Sequence, residues 1–140
     1  MIVKTNELSA EMFLQLYTSV GWEPPGIGQV QKALENTVAT FTVYDEDKAV
    51  GMVRLIGDGG MSFYIKDFAV VPEYQSKGVG RLLLNTLENY LKDHIRPDWA
   101  VSLELISSKE AAQTNDSGED KRVHLRCLRV CEMFSRQKEK

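Results

Sequence analysis

The residues best placed to do chemistry stand in one run. Asp67-Phe68-Ala69-Val70-Val71-Pro72 leads through Glu73-Tyr74-Gln75-Ser76-Lys77 into Gly78-Val79-Gly80-Arg81. Behind the glycines, Leu83, Leu87, Tyr90 and Leu91 recur on one helical face. The run therefore reads as a strand end, a short turn and the start of an amphipathic helix. A glycine-rich turn that opens a helix gathers unpaired backbone N–H groups at the positive end of the helix dipole, which suits phosphate oxygens. Gly78 lets the backbone approach a ligand, and Gly80 lets the helix begin close to the strand. The N–H groups from about Ser76 to Arg81 are expected to face one concavity, wide enough for a diphosphate. Lys77 and Arg81 either add charge there or stay solvated. Two familiar phosphate loops fail: a Walker loop needs its lysine after the glycine, but Lys77 precedes Gly78, and the dinucleotide fingerprint needs a glycine where Leu83 stands. Gln75 with two glycines at a strand–helix junction favours the phosphate reading over a plain connecting turn.

The rest of the chain must hold that turn in place. Ile2 to Lys4 suits a short strand. Ser9 is a natural N-cap for a helix to about Ser19, with Met12, Phe13, Leu16 and Tyr17 toward the core. Gly21-Trp22-Glu23-Pro24-Pro25-Gly26 breaks it, since paired prolines cannot continue a helix. A second helix is expected from about Gly28 to Glu35. Two short helices around such a turn make one wall of a pocket, with Trp22 packing on the core in preference to touching a substrate. From Val38 the period becomes two. Strands over Val38–Tyr44, Ala49–Ile56 and Met61–Val71, joined by short polar or glycine turns, form an antiparallel meander. The helix from Gly78 to His94 then separates Val71 from a strand over Trp99–Leu105. That crossover predicts a parallel pair, so the fold class is α+β with a mixed sheet.

The chain has 140 residues, 43% of them apolar, enough for one domain with a core. No apolar run reaches membrane-span length, and Met1 to Thr5 is no signal peptide, so a cytoplasmic protein without a membrane partner is expected. The two cysteines, Cys127 and Cys131, fit a reducing compartment. The net charge of −3 argues against nucleic acid. Residues 114–140 hold seven Lys/Arg against five Asp/Glu, a net +2, so the first 113 residues carry −5.

Val70-x-Pro72-x-Tyr74-Gln75-x-x-Gly78-x-Gly80-x-x-Leu83 resembles the acetyl-coenzyme A signature of the Gcn5-related N-acetyltransferases, and the order of elements over residues 2–113 matches that family. The resemblance implies a central mixed sheet whose parallel strands splay, with flanking helices. It implies acetyl-coenzyme A as co-substrate and no metal. The pyrophosphate would lie on Gln75, Ser76, Lys77, Gly78, Val79, Gly80 and Arg81, and the backbone of Phe68, Ala69 and Val70 would pair with the pantetheine arm like an added strand. The activity implied is acetyl transfer to a primary amine, with a small molecule preferred as acceptor because the chain has no basic groove.

Direct attack needs a neutral amine, a polarised thioester carbonyl and a protonated leaving thiolate. A backbone N–H at a strand bulge around Phe68 to Val70 would meet the oxyanion. Asp67, Tyr64 and Glu104 are the candidate catalytic side chains. Asp67 interrupts an apolar strand end, so it either serves the site or is satisfied by a neighbour; Arg54 is the natural cross-strand partner.

Past Gln113 the pattern departs. The family carries a Tyr on the next helix, commonly the thiolate's acid, then a Gly-Phe. The expected Phe-Tyr falls on Thr114-Asn115, and no Tyr follows Tyr90. Ser107 to Gln113 resembles that helix's start, residues 114–121 read as a solvated loop, and Val123 to Phe134 is read as a helix, although Val123, Leu125 and Cys127 also alternate. The last family strands are thus expected to be missing or altered, leaving a domain over 1–113 and an atypical tail over 114–140. Either a shifted reading frame or a divergent ending accounts for this, and a coenzyme A-binding module without catalysis is the competing function. The exposed edge of Trp99–Leu105 would then need the tail or a second copy to cover it. His124, Cys127 and Cys131 lack a fourth zinc ligand and read as structural.

Overall fold

The computed structural model describes residues 1–106 and 122–129. In order, they form strand β1 (Ile2–Thr5), helices α1 (Ala10–Ser19) and α2 (Ile27–Glu35), and strands β2 (Ala39–Asp45), β3 (Lys48–Gly57) and β4 (Ser62–Val70). Helix α3 (Val79–His94), strand β5 (Ala100–Ile106) and strand β6 (Arg122–Arg129) follow. The strands make one six-stranded sheet in sequence order. Only β4 and β5 run parallel; every other neighbouring pair is antiparallel. The mixed sheet expected from the crossover is therefore present, with element ends within a residue or so of the pattern.

Each helix begins and ends for a local reason. Ser9 Oγ accepts from Met12 N at 3.1 Å and caps α1. Gly21, at φ +84°, turns the chain away before the prolines. In α3, Leu83, Leu87 and Leu91 fall four residues apart and are fully buried, each contributing about 1.5–3 kcal/mol of apolar transfer. That stripe lies on one face of the sheet. Phe41 of β2 meets Tyr90 edge-on at 5.5 Å between centroids. Gly51 of β3 leaves room for Val79 and Leu83, whose side chains approach within 2.8 and 3.3 Å of where a Cβ would stand. The other face is covered by α1 and α2, with α1 packed on β3 and β4.

One strand breaks the alternation. Arg54 lies opposite Lys66 and Met52 opposite Ala69, so Val53 alone faces two residues, Asp67 and Phe68. This is a β-bulge. Asp67 sits at φ +53°, a left-handed conformation that Asp tolerates better than most residues. The extra residue shifts the side-chain parity of β4: Lys66 and Asp67, adjacent in sequence, share the α1/α2 face.

The tail corrects one expectation. Arg122–Arg129 is a strand, not part of a helix, and pairs antiparallel with β5, Leu105 opposite Val123 and Val101 opposite Leu128. The alternation of Val123, Leu125 and Cys127 prevails over the helical spacing because the free edge of β5 offers a row of N–H and C=O groups that only a strand can pair. The chain thus covers that edge itself, which removes the reason for placing a tail helix or a second copy there. The helix start at Ser107–Gln113, the loop over 114–121 and residues 130–134 lie outside the described residues. Among the described residues no helix is long and apolar enough to cross a membrane.

Candidate active site

The turn between β4 and α3 is built as an open cradle. Val71 N donates to Val50 O at 2.9 Å, anchoring the strand end, and a single 3₁₀ turn follows at Pro72–Tyr74. Ser76 and Gly78 have φ of +65° and +86°. Gly78 is the N-cap of α3, with no capping side chain and no acidic residue in the first turn. A Cβ on Gly78 would meet nothing within 4 Å, so the space beyond it is open. The first α3 bond to the cap runs from Leu82 N to Gly78 O at 3.0 Å, which leaves the amides of Val79, Gly80 and Arg81 as the helix's N-terminal donors. These residues therefore fit an anionic ligand: donors converge, the dipole is favourable, and no carboxylate caps the helix.

The individual residues divide between cradle and scaffold. Gln75 Nε2 donates to Val70 O at 3.0 Å, so this side chain clips the turn to the strand. Val79 is buried against Gly51, and only its backbone belongs to the cradle. Gly80 packs on the Phe68 ring, where a Cβ would stand 3.2 Å from Cζ; the expected close approach is there, to a side chain and not to backbone. Lys77 stands over the Tyr74 ring at 5.3 Å, and Arg81 is exposed. The Tyr74 hydroxyl donates to Asp45 Oδ2 at 2.5 Å, tying the cradle to the β2–β3 turn; this bond first, then desolvation and the nearby carboxylates, push the phenol above its ordinary range.

Beside the cradle the sheet opens. β4 pairs with β5 only from Ser62–Ser102 to Ile65–Leu105, so from Lys66 to Val70 the strand has no β5 partner. The stretch Phe68–Val70 thus presents an edge that β5 leaves unpaired, as the splayed pair requires, with the Val70 carbonyl already taken by Gln75. The bulge at Asp67 and Phe68 lies at the head of this gap.

Of the three candidate catalytic side chains, two are neighbours across the ladder and the third lies three residues further along β4. Tyr64 and Glu104 are register partners across β4 and β5, one residue before the ladder ends. Asp67 lies just beyond it and takes a 2.7 Å bond from Arg54 Nε, both side chains being largely shielded from solvent. The pairing is made by the bulge, because the register partner of Arg54 is Lys66. Asp67 is therefore ion-paired and still faces open space. It lines a cavity of about 200 Å³ beneath α1 and α2, with Phe13, Tyr17, Val30, Leu34, Arg54 and Lys66 among its walls. Tyr64 and Glu104 are not in that lining. Trp22 braces the wall, edge-on to Tyr17 at 5.0 Å. The two-helix wall follows from the Pro-Pro turn; the part played by Lys66 does not, since strand alternation gives no sign of an extra residue at position 67. A larger depression of about 620 Å³ borders the β2–β3 turn, but Asp45, Glu46 and Asp47 line it, the wrong charge for a diphosphate.

Comparison with known proteins gives a consistent result. The model of the acetyltransferase (GNAT) family matches residues 6–113. An uncharacterized N-acetyltransferase ycf52-like protein of Prochlorococcus marinus is 36% identical over 83 residues, 56% of this chain and 46% of that one. An uncharacterized N-acetyltransferase ycf52 of Pyropia yezoensis is 29% identical over 82 residues, 56% and 47% of the two chains. The chain thus spans less than half the length of these curated relatives. Among solved structures, a protein of unknown function from meticillin-resistant Staphylococcus aureus, described as a probable acetyltransferase, superposes with a TM-score of 0.67 at 28% identity, covering 86% of this chain and 96% of that one. An aminoglycoside 6'-N-acetyltransferase complexed with coenzyme A shares the fold, with a TM-score of 0.58 at 15% identity over 76% of this chain and 62% of that one.

Proposed function

Because the chain belongs to the GNAT acetyltransferase family, we propose that it transfers the acetyl group of acetyl-coenzyme A to the primary amine of a small molecule, by direct attack in a ternary complex. One observation carries this reading: the unpaired stretch of β4 from Lys66 to Val70 joins the phosphate cradle to the cavity under α1 and α2. A thioester lying along that stretch meets the cradle on one side and the cavity on the other.

The cradle amides from Ser76 to Arg81 hold the pyrophosphate, and the Phe68–Val70 backbone pairs with the pantetheine arm. A backbone N–H at the bulge is fixed in place before reaction, which is what stabilisation of a developing oxyanion requires. Asp67, oriented by Arg54, takes up the incoming ammonium and receives its proton directly or through water. The amine nitrogen then bonds to the acetyl carbon as the carbon–sulfur bond breaks; the nitrogen releases its second proton to water and the sulfur takes one, leaving an amide and a free thiol. The chain has no Tyr after Tyr90 to supply it, so Tyr64 or Glu104, at the end of the β4–β5 ladder, is the group to examine.

Thiol release from acetyl-coenzyme A, measured against a panel of small amines, tests the proposal. Amine-dependent release that falls at least about tenfold in Asp67→Asn supports it, in the range a positioned acid–base group supplies. Coenzyme A binding without release under any amine would instead support a binding module, and absence of binding would defeat both readings.

A further inference from the structure

We propose that the acceptor carries a carboxylate beside its amine, on an apolar body: a small apolar or aromatic amino acid, or a compound of that chemical class. This rests on the transfer reading above and concerns the cavity from which the amine would approach.

Three charged side chains line the cavity: Arg54, Lys66 and Asp67. Arg54 and Asp67 satisfy one another at 2.7 Å, and Arg54 also lies 3.4 Å from the Thr37 hydroxyl. Lys66 remains. It stands directly opposite Arg54 across the β3–β4 ladder, where like charges repel. Among the described residues it has no hydrogen-bonding or ion-pair partner. A cation held beside a second cation, with the one carboxylate of the cavity already bonded to Arg54, lacks an anion of its own. The cavity supplies no second carboxylate, since its other polar groups are Gln29 and the Tyr17 phenol.

Position gives the next step. The bulge places Lys66 and Asp67 next to each other on one face, so an unmatched ammonium and a carboxylate stand together. An amino acid carries the complementary pair: its ammonium suits Asp67 and its carboxylate suits Lys66 in a charge-assisted bond. Arg54 Nε takes one Asp67 oxygen, and a carboxylate offers two. The remaining walls, Phe13, Tyr17, Val30 and Leu34, suit an apolar side chain. A volume of about 200 Å³ lies below the roughly 300–1,000 Å³ typical of drug-sized ligands, as befits so small an acceptor.

The test compares acceptors that differ only in the carboxylate. L-leucine and 3-methylbutylamine, and L-phenylalanine and 2-phenylethylamine, are titrated calorimetrically into the full chain, with and without coenzyme A. The expected result is that each amino acid binds at least about tenfold tighter than its decarboxylated partner. Lys66→Met should level the two affinities, and Lys66→Arg should keep the preference. Equal affinities in the wild type, a preference untouched by Lys66→Met, or no binding of either amino acid would overturn the inference. Loss of thiol release or of coenzyme A binding speaks to the transfer reading instead, because carboxylate preference is read from binding to the free chain as well.

Discussion

Replacing Gly78 by asparagine and, separately, by aspartate separates the ligand role of the turn from its folding role. Gly78 has φ +86° and ψ 4°, and nothing lies within 4 Å of a Cβ added there. Overpacking is therefore absent, and the cost of a side chain is conformational. For an ordinary L residue in that region it is about 1–2 kcal/mol, less for Asn and Asp. The two variants share this term and nearly the same shape. They differ in one charge at the N-terminus of α3. For the free protein that charge is favourable, worth about 0.3–1 kcal/mol against the helix dipole, so the Asp variant should melt at or above the Asn variant. For the bound state the order reverses. A carboxylate about 5 Å from a phosphate charge is repelled by about 1–3 kcal/mol, depending on solvent screening, which corresponds to roughly a fivefold to hundredfold loss of affinity. Calorimetric titration with coenzyme A at low salt and at about 1 M salt, paired with thermal melts, reads both quantities; the gap in affinity should shrink as the charge is screened. If aspartate binds coenzyme A as well as asparagine does, the cradle is not a phosphate site and the reasoning built on it fails.

Two further outcomes follow from the same framework. Gly51→Ala places a methyl 2.8 Å from Val79 Cγ1 and 3.3 Å from the Ala69 carbonyl oxygen, so it should cost about 1–3 kcal/mol as α3 is pushed off the sheet; an unchanged urea midpoint would show that Val79 simply rotates away. Tyr74 is expected to ionise above the ordinary phenol value of about 10, because its bond to Asp45 favours the neutral form. Its contribution to stability is then complete below that value and fades as pH rises through the higher one. In alkaline titration by near-ultraviolet absorbance, the phenolate signal missing from Tyr74→Phe should appear above a pH of about 10 in the wild type, and finding it at or below that value would refute the assignment.

Much of this fold can be read along the chain because its elements are locally consistent. The spacing of Leu83, Leu87 and Leu91, the cap at Ser9 and the alternation around Phe41 and Val43 each point to the element that forms. The cradle is legible too, since Gly78 and Gly80 announce a turn that needs a left-handed residue at one position and a close contact with Phe68 at the other. Arg54 and Asp67 are predictable as a pair from opposite charge on adjacent strands, but the bulge that joins them, expected around Phe68 to Val70, falls a residue earlier, at Asp67 and Phe68. Lys66 is hidden for the same reason: its importance comes from standing beside Asp67 on one face, which strict alternation forbids. The tail shows the opposite failure. Val123, Leu125 and Cys127 alternate while Val123, Cys127, Val130 and Cys131 share a helical face, and for Arg122–Arg129 the choice falls to the unpaired edge of β5, a feature supplied by distant sequence.

The bulge has a consequence for how substitutions along β4 will read in a mutational scan. Tolerance should alternate along this strand, but its phase slips by one residue at Asp67. Ahead of the slip, even positions such as Tyr64 and Lys66 look toward α1 and α2. Behind it, Phe68 and Val70, also even, look toward α3, where Phe68 meets Gly80 and Val70 lies opposite Gly51. The ladder on either side would stay in register with one residue fewer, so pairing with β3 makes no use of Asp67. A profile that kept one phase from Ser62 to Val70 would mean that the strand runs straight, and with it would go the adjacency of ammonium and carboxylate at the mouth of the cavity.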